Sequence, residues 1–126
     1  MTLISQLLIA ANTGIIIFFS SVIAPVVFKT LPPEFASKYL RAFFPRLYVT
    51  LFVTTAIAAA LMQDSISSIL LGVVAALFLL SRWPLTPAIN KATDARQKKK
   101  FKFLHSVSVV ILLGQLTVFL FILSST

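Results

Sequence analysis

The chain has 126 residues, of which 59% are hydrophobic and only 11% charged, whereas a soluble domain carries about 25% charged residues. That balance excludes a water-soluble globular fold and indicates an integral membrane protein, and with about 20 apolar residues per crossing the length holds four spans. Eleven Lys and Arg against three acids give a formal charge of +8, which in a membrane chain reads as basic loops facing an anionic leaflet rather than as a nucleic-acid surface. Cysteine is absent, which removes disulfides, thiolate metal sites and redox thiols from consideration. Residues 1–126 are expected to form one membrane domain.

The opening MTLISQLL lacks a basic n-region, so the first apolar segment is expected to remain in the mature protein rather than to be removed as a secretory signal. The first span covers about residues 3–28. Its 26 residues reach roughly 39 Å at 1.5 Å per residue, more than the ~30 Å hydrocarbon core, so tilt or a broken last turn near Pro25 is expected. The following segment carries Lys29, Lys38, Arg41 and Arg46. Its Pro32-Pro33-Glu34 opening predicts a turn and then a short interfacial helix, with Pro at the first helical position and an acid in the first turn.

The second span is predicted over residues 43–62, with Pro45 in its first turn, where the missing N–H would have had no intrahelical partner. Gln63, Asp64 and Ser65 make a short connection. The third span covers residues 66–83, and Arg82, Trp83, Pro84 and Pro87 mark its exit. Trp83 and Tyr48 read as interfacial anchors. Residues 86–102 are polar and basic, and the last span covers residues 103–123. Connections this short require antiparallel neighbours, so the expected fold is all-α, an up-down-up-down four-helix membrane bundle.

All eleven basic side chains lie between Lys29 and Arg46 or between Arg82 and Lys102. The first and third connections are therefore predicted on the cytoplasmic side and both termini on the opposite side. Hydropathy does not distinguish a bacterial inner membrane from an organelle membrane.

Helices associate in lipid by close packing and interhelical hydrogen bonds, so small and polar side chains are expected to line the interior. On that rule the inward stripes are Gly14, Phe18, Ser21, Pro25 and Phe28 in the first span, and Tyr48, Phe52, Thr55 and Ala59 in the second. The third contributes Ser68, Gly72, Ala75, Leu79 and Arg82, and the fourth His105, Ser108, Leu112, Gln115 and Phe119.

A polar pocket near the basic end would be bounded by Arg41, Tyr48, Arg82, Asn90, His105, Ser108 and Gln115. His105 is the one side chain that would titrate near neutrality unperturbed, but no carboxylate partner for it is evident, and a structural hydrogen bond is the plainer role. One histidine and three scattered acids cannot supply a tetrahedral metal site within one chain. Haem held by two histidines would need two chains. Lys98, Lys99, Lys100 and Lys102 suit a topogenic signal that also contacts lipid headgroups, and no aromatic-studded basic platform for nucleic acid accompanies them.

Several stretches together resemble a known family. Gly14, Phe18, Phe19, Ser20, Ala24, Pro25, Phe28 and Leu31 come first, then Ala36, Arg41, Phe44, Pro45 and Tyr48, then Phe101, Leu104, His105, Ser108, Val109 and Gln115. In this order and spacing they are similar to the small four-span proteins that include transmembrane protein 205, with bacterial members grouped as a domain of unknown function (DUF4149). The chain departs from that pattern at Leu112, where asparagine is common, and through most of the third span. A looser likeness is to anthrone-oxygenase-like four-span proteins, through the Ala24-Pro25 segment and the Pro87 to Asn90 segment. The resemblance implies a four-helix membrane protein and brings no enzymatic mechanism with it.

With no catalytic constellation, the leading expectation is an accessory or stabilising subunit of a membrane complex, or a small homo-oligomer. The alternative is a membrane oxidoreductase or small-molecule carrier, its cofactor unspecified, using the pocket around His105. The expected partners are the bilayer, anionic headgroups and a membrane protein or second copy.

Overall fold

The computed structural model describes residues 3–125; residues 1, 2 and 126, included in the expected domain, lie outside the described residues. Four helices account for nearly all of it: α1 (Leu3–Thr30), α2 (Pro33–Leu61), α3 (Ser65–Asp94) and α4 (Lys98–Ser124), each long and apolar enough to cross a membrane. The connections are two or three residues long, so successive helices run antiparallel. Each helix packs on its neighbours in sequence, and α4 closes the ring against α1. The fold is an all-α four-helix bundle.

The helices outrun the expected spans. α2 begins where the Pro-Pro-Glu sequence predicted a helix, with Pro33 in its first turn and Glu34 behind it. It then continues to Leu61 without the break expected before residue 43. Pro45 thus stands in the helix interior, where its missing N–H leaves the Arg41 carbonyl without its usual partner. α3 likewise continues past Trp83 to Asp94, so the basic stretch expected as a loop over residues 86–102 is helix except at residues 95–97.

Two π-helical turns make this continuity possible. In α1 the turn Phe19–Ile23 precedes Pro25, and the Ala24 N–H reaches back five residues to the Phe19 carbonyl. In α3 the turn Ser81–Leu85 contains Pro84; there the Thr86 N–H bonds the Ser81 carbonyl, which also accepts the Thr86 hydroxyl at 2.5 Å. Each wider turn re-satisfies backbone groups that a proline would strand, so the helix proceeds where a break was expected.

The core joins Ile9 and Ile16 of α1, Tyr48, Leu51 and Ala58 of α2, Leu71, Val74 and Phe78 of α3, and Phe119 and Ile122 of α4. A chain of ring contacts runs into it from the basic end. Phe19 stacks on Phe43 at 4.9 Å and meets Phe44 edge-on at 5.3 Å, and Tyr48, Phe78 and Phe119 continue the line toward mid-bundle. Offset and edge-on rings of this kind contribute beyond simple area burial.

The expected inward faces hold on α2, where Tyr48 and Thr55 are buried, and on α4 from Ser108 to Phe119. They fail on α1, and on α3 they hold except at Gly72. The buried face of α1 is Ser5, Ile9, Asn12, Thr13 and Ile16, while Gly14, Phe18, Ser21 and Phe28 point outward. On α3 the expected Ala75 is buried and Ser68, Leu79 and Arg82 are half-buried, whereas Gly72 is exposed; Leu71, Val74 and Phe78 complete the buried face. A Cβ placed on Gly14, Gly72 or Gly114 would meet nothing within 4 Å, so these glycines serve no close helix approach inside the monomer.

Both ends of α3 are capped locally. Asp64 accepts the Ser67 N–H at 3.1 Å and the Ser67 hydroxyl at 2.8 Å, capping the start of α3. At the end of α3, Gln97 N–H bonds the Ala92 carbonyl and Arg96 N–H the Thr93 carbonyl, a Schellman arrangement. Its left-handed position is Arg96, φ 55°, where glycine is usual.

Candidate functional site

Because the helices alternate in direction, all the basic side chains gather at one end of the bundle. There Arg41 of α2 grips Asp94 of α3 with both guanidinium nitrogens, Nη2 donating to Oδ1 at 2.5 Å and Nη1 to Oδ2 at 3.2 Å. This is the one ion pair among the described residues, and it ties the start of α2 to the last turn of α3. Asp94 stands at the negative end of its own helix, so the arginine also offsets an unfavourable interaction with the helix dipole.

Arg82 lies over the Trp83 ring at 5.5 Å, a cation–π pair on the outer side of α3. Asn90 is half-buried on the same helix. Deeper in, the buried Tyr48 hydroxyl meets the Ser108 hydroxyl at 3.4 Å, linking α2 to α4. Gln115 is fully enclosed, and its Nε2 donates to the Val74 carbonyl at 3.0 Å. Its Oε1 has no hydrogen-bond partner among the described residues.

His105 departs from its expected place. It lies on the exposed side of α4 and stacks on Phe101 one turn earlier, with ring centroids 5.7 Å apart. The stripe predicted to start at His105 therefore begins at Ser108. Of the seven pocket candidates, Tyr48 and Ser108 meet directly, while Arg41, Arg82, Gln115 and His105 each take other partners. Among the described residues no group of three or more His, Cys, Asp or Glu could hold a metal ion.

The most connected polar group was missed in the sequence. Asn12 of α1 is buried and donates to the Thr55 hydroxyl at 3.0 Å, and its Oδ1 accepts the Thr54 hydroxyl at 2.9 Å. Thr54 also reaches back to the carbonyls of Thr50 and Leu51. An asparagine inside an apolar span is costly unless bonded across helices; that cost was the signal that could have found it.

Comparison with known families now bears on this arrangement. Residues 7–98 match the family described as Domain of unknown function (DUF4149). The chain belongs to this family. No curated protein and no solved structure matches it. The DUF4149 match takes in most of α1 and all of α2 and α3, and it stops at the first residue of α4. It therefore includes Asn12, Arg41, Tyr48, Thr54, Thr55 and Asp94, and leaves His105, Ser108 and Gln115 beyond its end. With four helices able to cross a bilayer, this DUF4149 chain is an integral membrane protein.

Proposed function

We propose that the protein acts without chemistry of its own, as an accessory or stabilising subunit of a membrane complex or as a small homo-oligomer. The observation that carries this reading is the use made of the interior polar groups. Asn12 with Thr54 and Thr55, Tyr48 with Ser108, and Gln115 with Val74 each join one helix to another, as a packing role requires. α4 offers the surface for a partner. Only 17% of its most apolar stretch is buried, against 28% for each of the others, and Phe103, Ser106, Val107, Val110 and Ile111 line a shallow apolar groove of about 260 Å³ along it.

In this reading the first and third connections face the cytoplasm and both termini the opposite side, and the kinship extends to transmembrane protein 205. Lys98, Lys99, Lys100 and Lys102 contact anionic lipid headgroups.

A second reading, a membrane oxidoreductase or small-molecule carrier working near His105, draws on the loosely bonded Tyr48 hydroxyl and the unpartnered Gln115 Oε1. The two readings separate on purification in mild detergent. The first expects a colourless preparation without extractable quinone, and a His105→Ala variant that keeps both assembly and cellular phenotype. A pigment absorbance band, or loss of phenotype in that variant with assembly intact, would favour the second.

A further inference from the structure

Formal charge is divided unequally between the two ends of the bundle. Eleven basic side chains against Glu34 and Asp94 leave +9 at one end, while Asp64 alone gives −1 at the other. Only Arg41, among the described residues, has an acidic partner. The start of α4 adds to the imbalance: Lys98, Lys99, Lys100 and Lys102 occupy its first turns with no acid beside them, at the end where the helix dipole is already positive. A surface this unbalanced needs negative charge from outside the chain.

The same end also exposes aromatic side chains on every helix. Phe28 is exposed on α1, Phe35 and Tyr39 on α2, Trp83 on α3, and Phe101 and Phe103 on α4. Measured from the connection 62–64, about 20 helical residues, or ~30 Å, cross the hydrocarbon core. That places its border close to Phe43 on α2 and Trp83 on α3. The remaining ten residues or so of α2 extend about 15 Å further, through the headgroup layer.

We infer that this end is a headgroup collar which binds anionic phospholipid, with Trp83, Arg82 and Phe103 at the hydrocarbon border and Lys29, Lys38 and the α4 lysines around it. The distribution selects lipid over an acidic protein partner. Cations and rings occur on all four helices, so they encircle the bundle, as a surrounding leaflet does and a partner docked on one side does not. Aromatic rings favour the headgroup level, basic side chains reach the phosphates on flexible apolar stems, and each such charge near an anionic surface favours binding. The inference rests on the membrane placement and the α4 lysine contacts proposed above, which it extends to all four helices, and is independent of the subunit role.

The full chain reconstituted in nanodiscs tests it. In discs of equimolar phosphatidylglycerol and phosphatidylcholine the thermal unfolding midpoint should lie above that in phosphatidylcholine alone, and the lipid retained on extraction should be enriched in phosphatidylglycerol on the order of tenfold. The quadruple variant Lys98→Gln, Lys99→Gln, Lys100→Gln, Lys102→Gln should lose much of both effects. Trp83, the single tryptophan, reports depth without any substitution, and brominated lipids should quench it best when the label lies near the headgroup end of the acyl chain. Equal midpoints in the two discs with no lipid enrichment would overturn the inference. So would a stabilisation reproduced by inorganic phosphate or by polyglutamate in phosphatidylcholine discs, which would assign the collar to free anions or to an acidic polypeptide, and so would best quenching at the bilayer centre.

Discussion

The Asn12 amide of α1 and the Thr55 hydroxyl of α2 meet at 3.0 Å in a part of the bundle closed to its surroundings. Truncating Asn12 to Ala strands the Thr55 hydroxyl and frees Thr54 to its own helix carbonyls, and should cost about 1–2 kcal/mol. A double-mutant cycle of Asn12→Ala with Thr55→Val should return a coupling of about 1 kcal/mol. Gln115→Leu provides the contrast. It gives up the bond to Val74 but also removes a buried acceptor with no partner, and should stay within about 1 kcal/mol of the parent. Reversible unfolding in mixed micelles measures all three, and a larger loss for Gln115→Leu than for Asn12→Ala would contradict the ranking.

Arg96 occupies a left-handed backbone position at φ 55°, which costs a residue with a Cβ on the order of 1 kcal/mol. Glycine adopts it freely. Arg96→Gly should therefore raise stability by about 1 kcal/mol, read from the same unfolding midpoint. An unchanged or lower midpoint would show that the arginine side chain contributes more than the backbone loses.

At the opposite end, Asp64 lies in the connection before α3, and its carboxyl is held below the ordinary carboxylate range, first by the hydroxyl of Ser67 and then by the Ser67 backbone N–H. The folded-state value is lower than the unfolded one. The cap's contribution is accordingly complete above the ordinary value near ~3.9 and is lost as pH falls through the depressed one. Amide exchange at Ser67 should quicken in that acid range, and Asp64→Asn, which caps without titrating, should remove the pH dependence. The same acid response in Asp64→Asn would assign it to another group.

Much of this architecture is legible in composition and spacing. Apolar runs give four helices, Pro33 and Glu34 mark the start of α2, and the short connections dictate alternation. Helix rotation is harder to read, because lipid makes the outer face of a span as apolar as the inner one and periodicity then carries no phase. A small-residue rule placed Gly14 and Gly72 inside, yet both are exposed. Where a strongly polar side chain sat on the stripe, as Gln115 does on α4, the assignment was right, and Asn12 would have set α1 correctly. Helix length was obscured by prolines: Pro45, Pro84 and Pro87 read as ends, while π turns and packing carry the helices through them. His105 stood out for its chemistry, but its ring is exposed and stacks on Phe101, and no hydrogen bond joins it to an acid among the described residues.

The orientation we propose rests on the charge at the basic end. In sealed vesicles that keep the cytoplasmic face inside, single cysteines replacing Ser125 and Lys99 should behave oppositely toward an impermeant thiol reagent added from outside, with position 125 labelled and position 99 protected. Labelling at 99 and protection at 125 would reverse the topology.

The subunit reading stands or falls on what accompanies the chain out of its native membrane. Extracted in mild detergent at endogenous abundance and weighed as an intact particle, the protein should exceed the mass of one 13.8 kDa chain plus its detergent and lipid, by a partner chain or a second copy. A strict monomer that carries no other polypeptide would contradict the account.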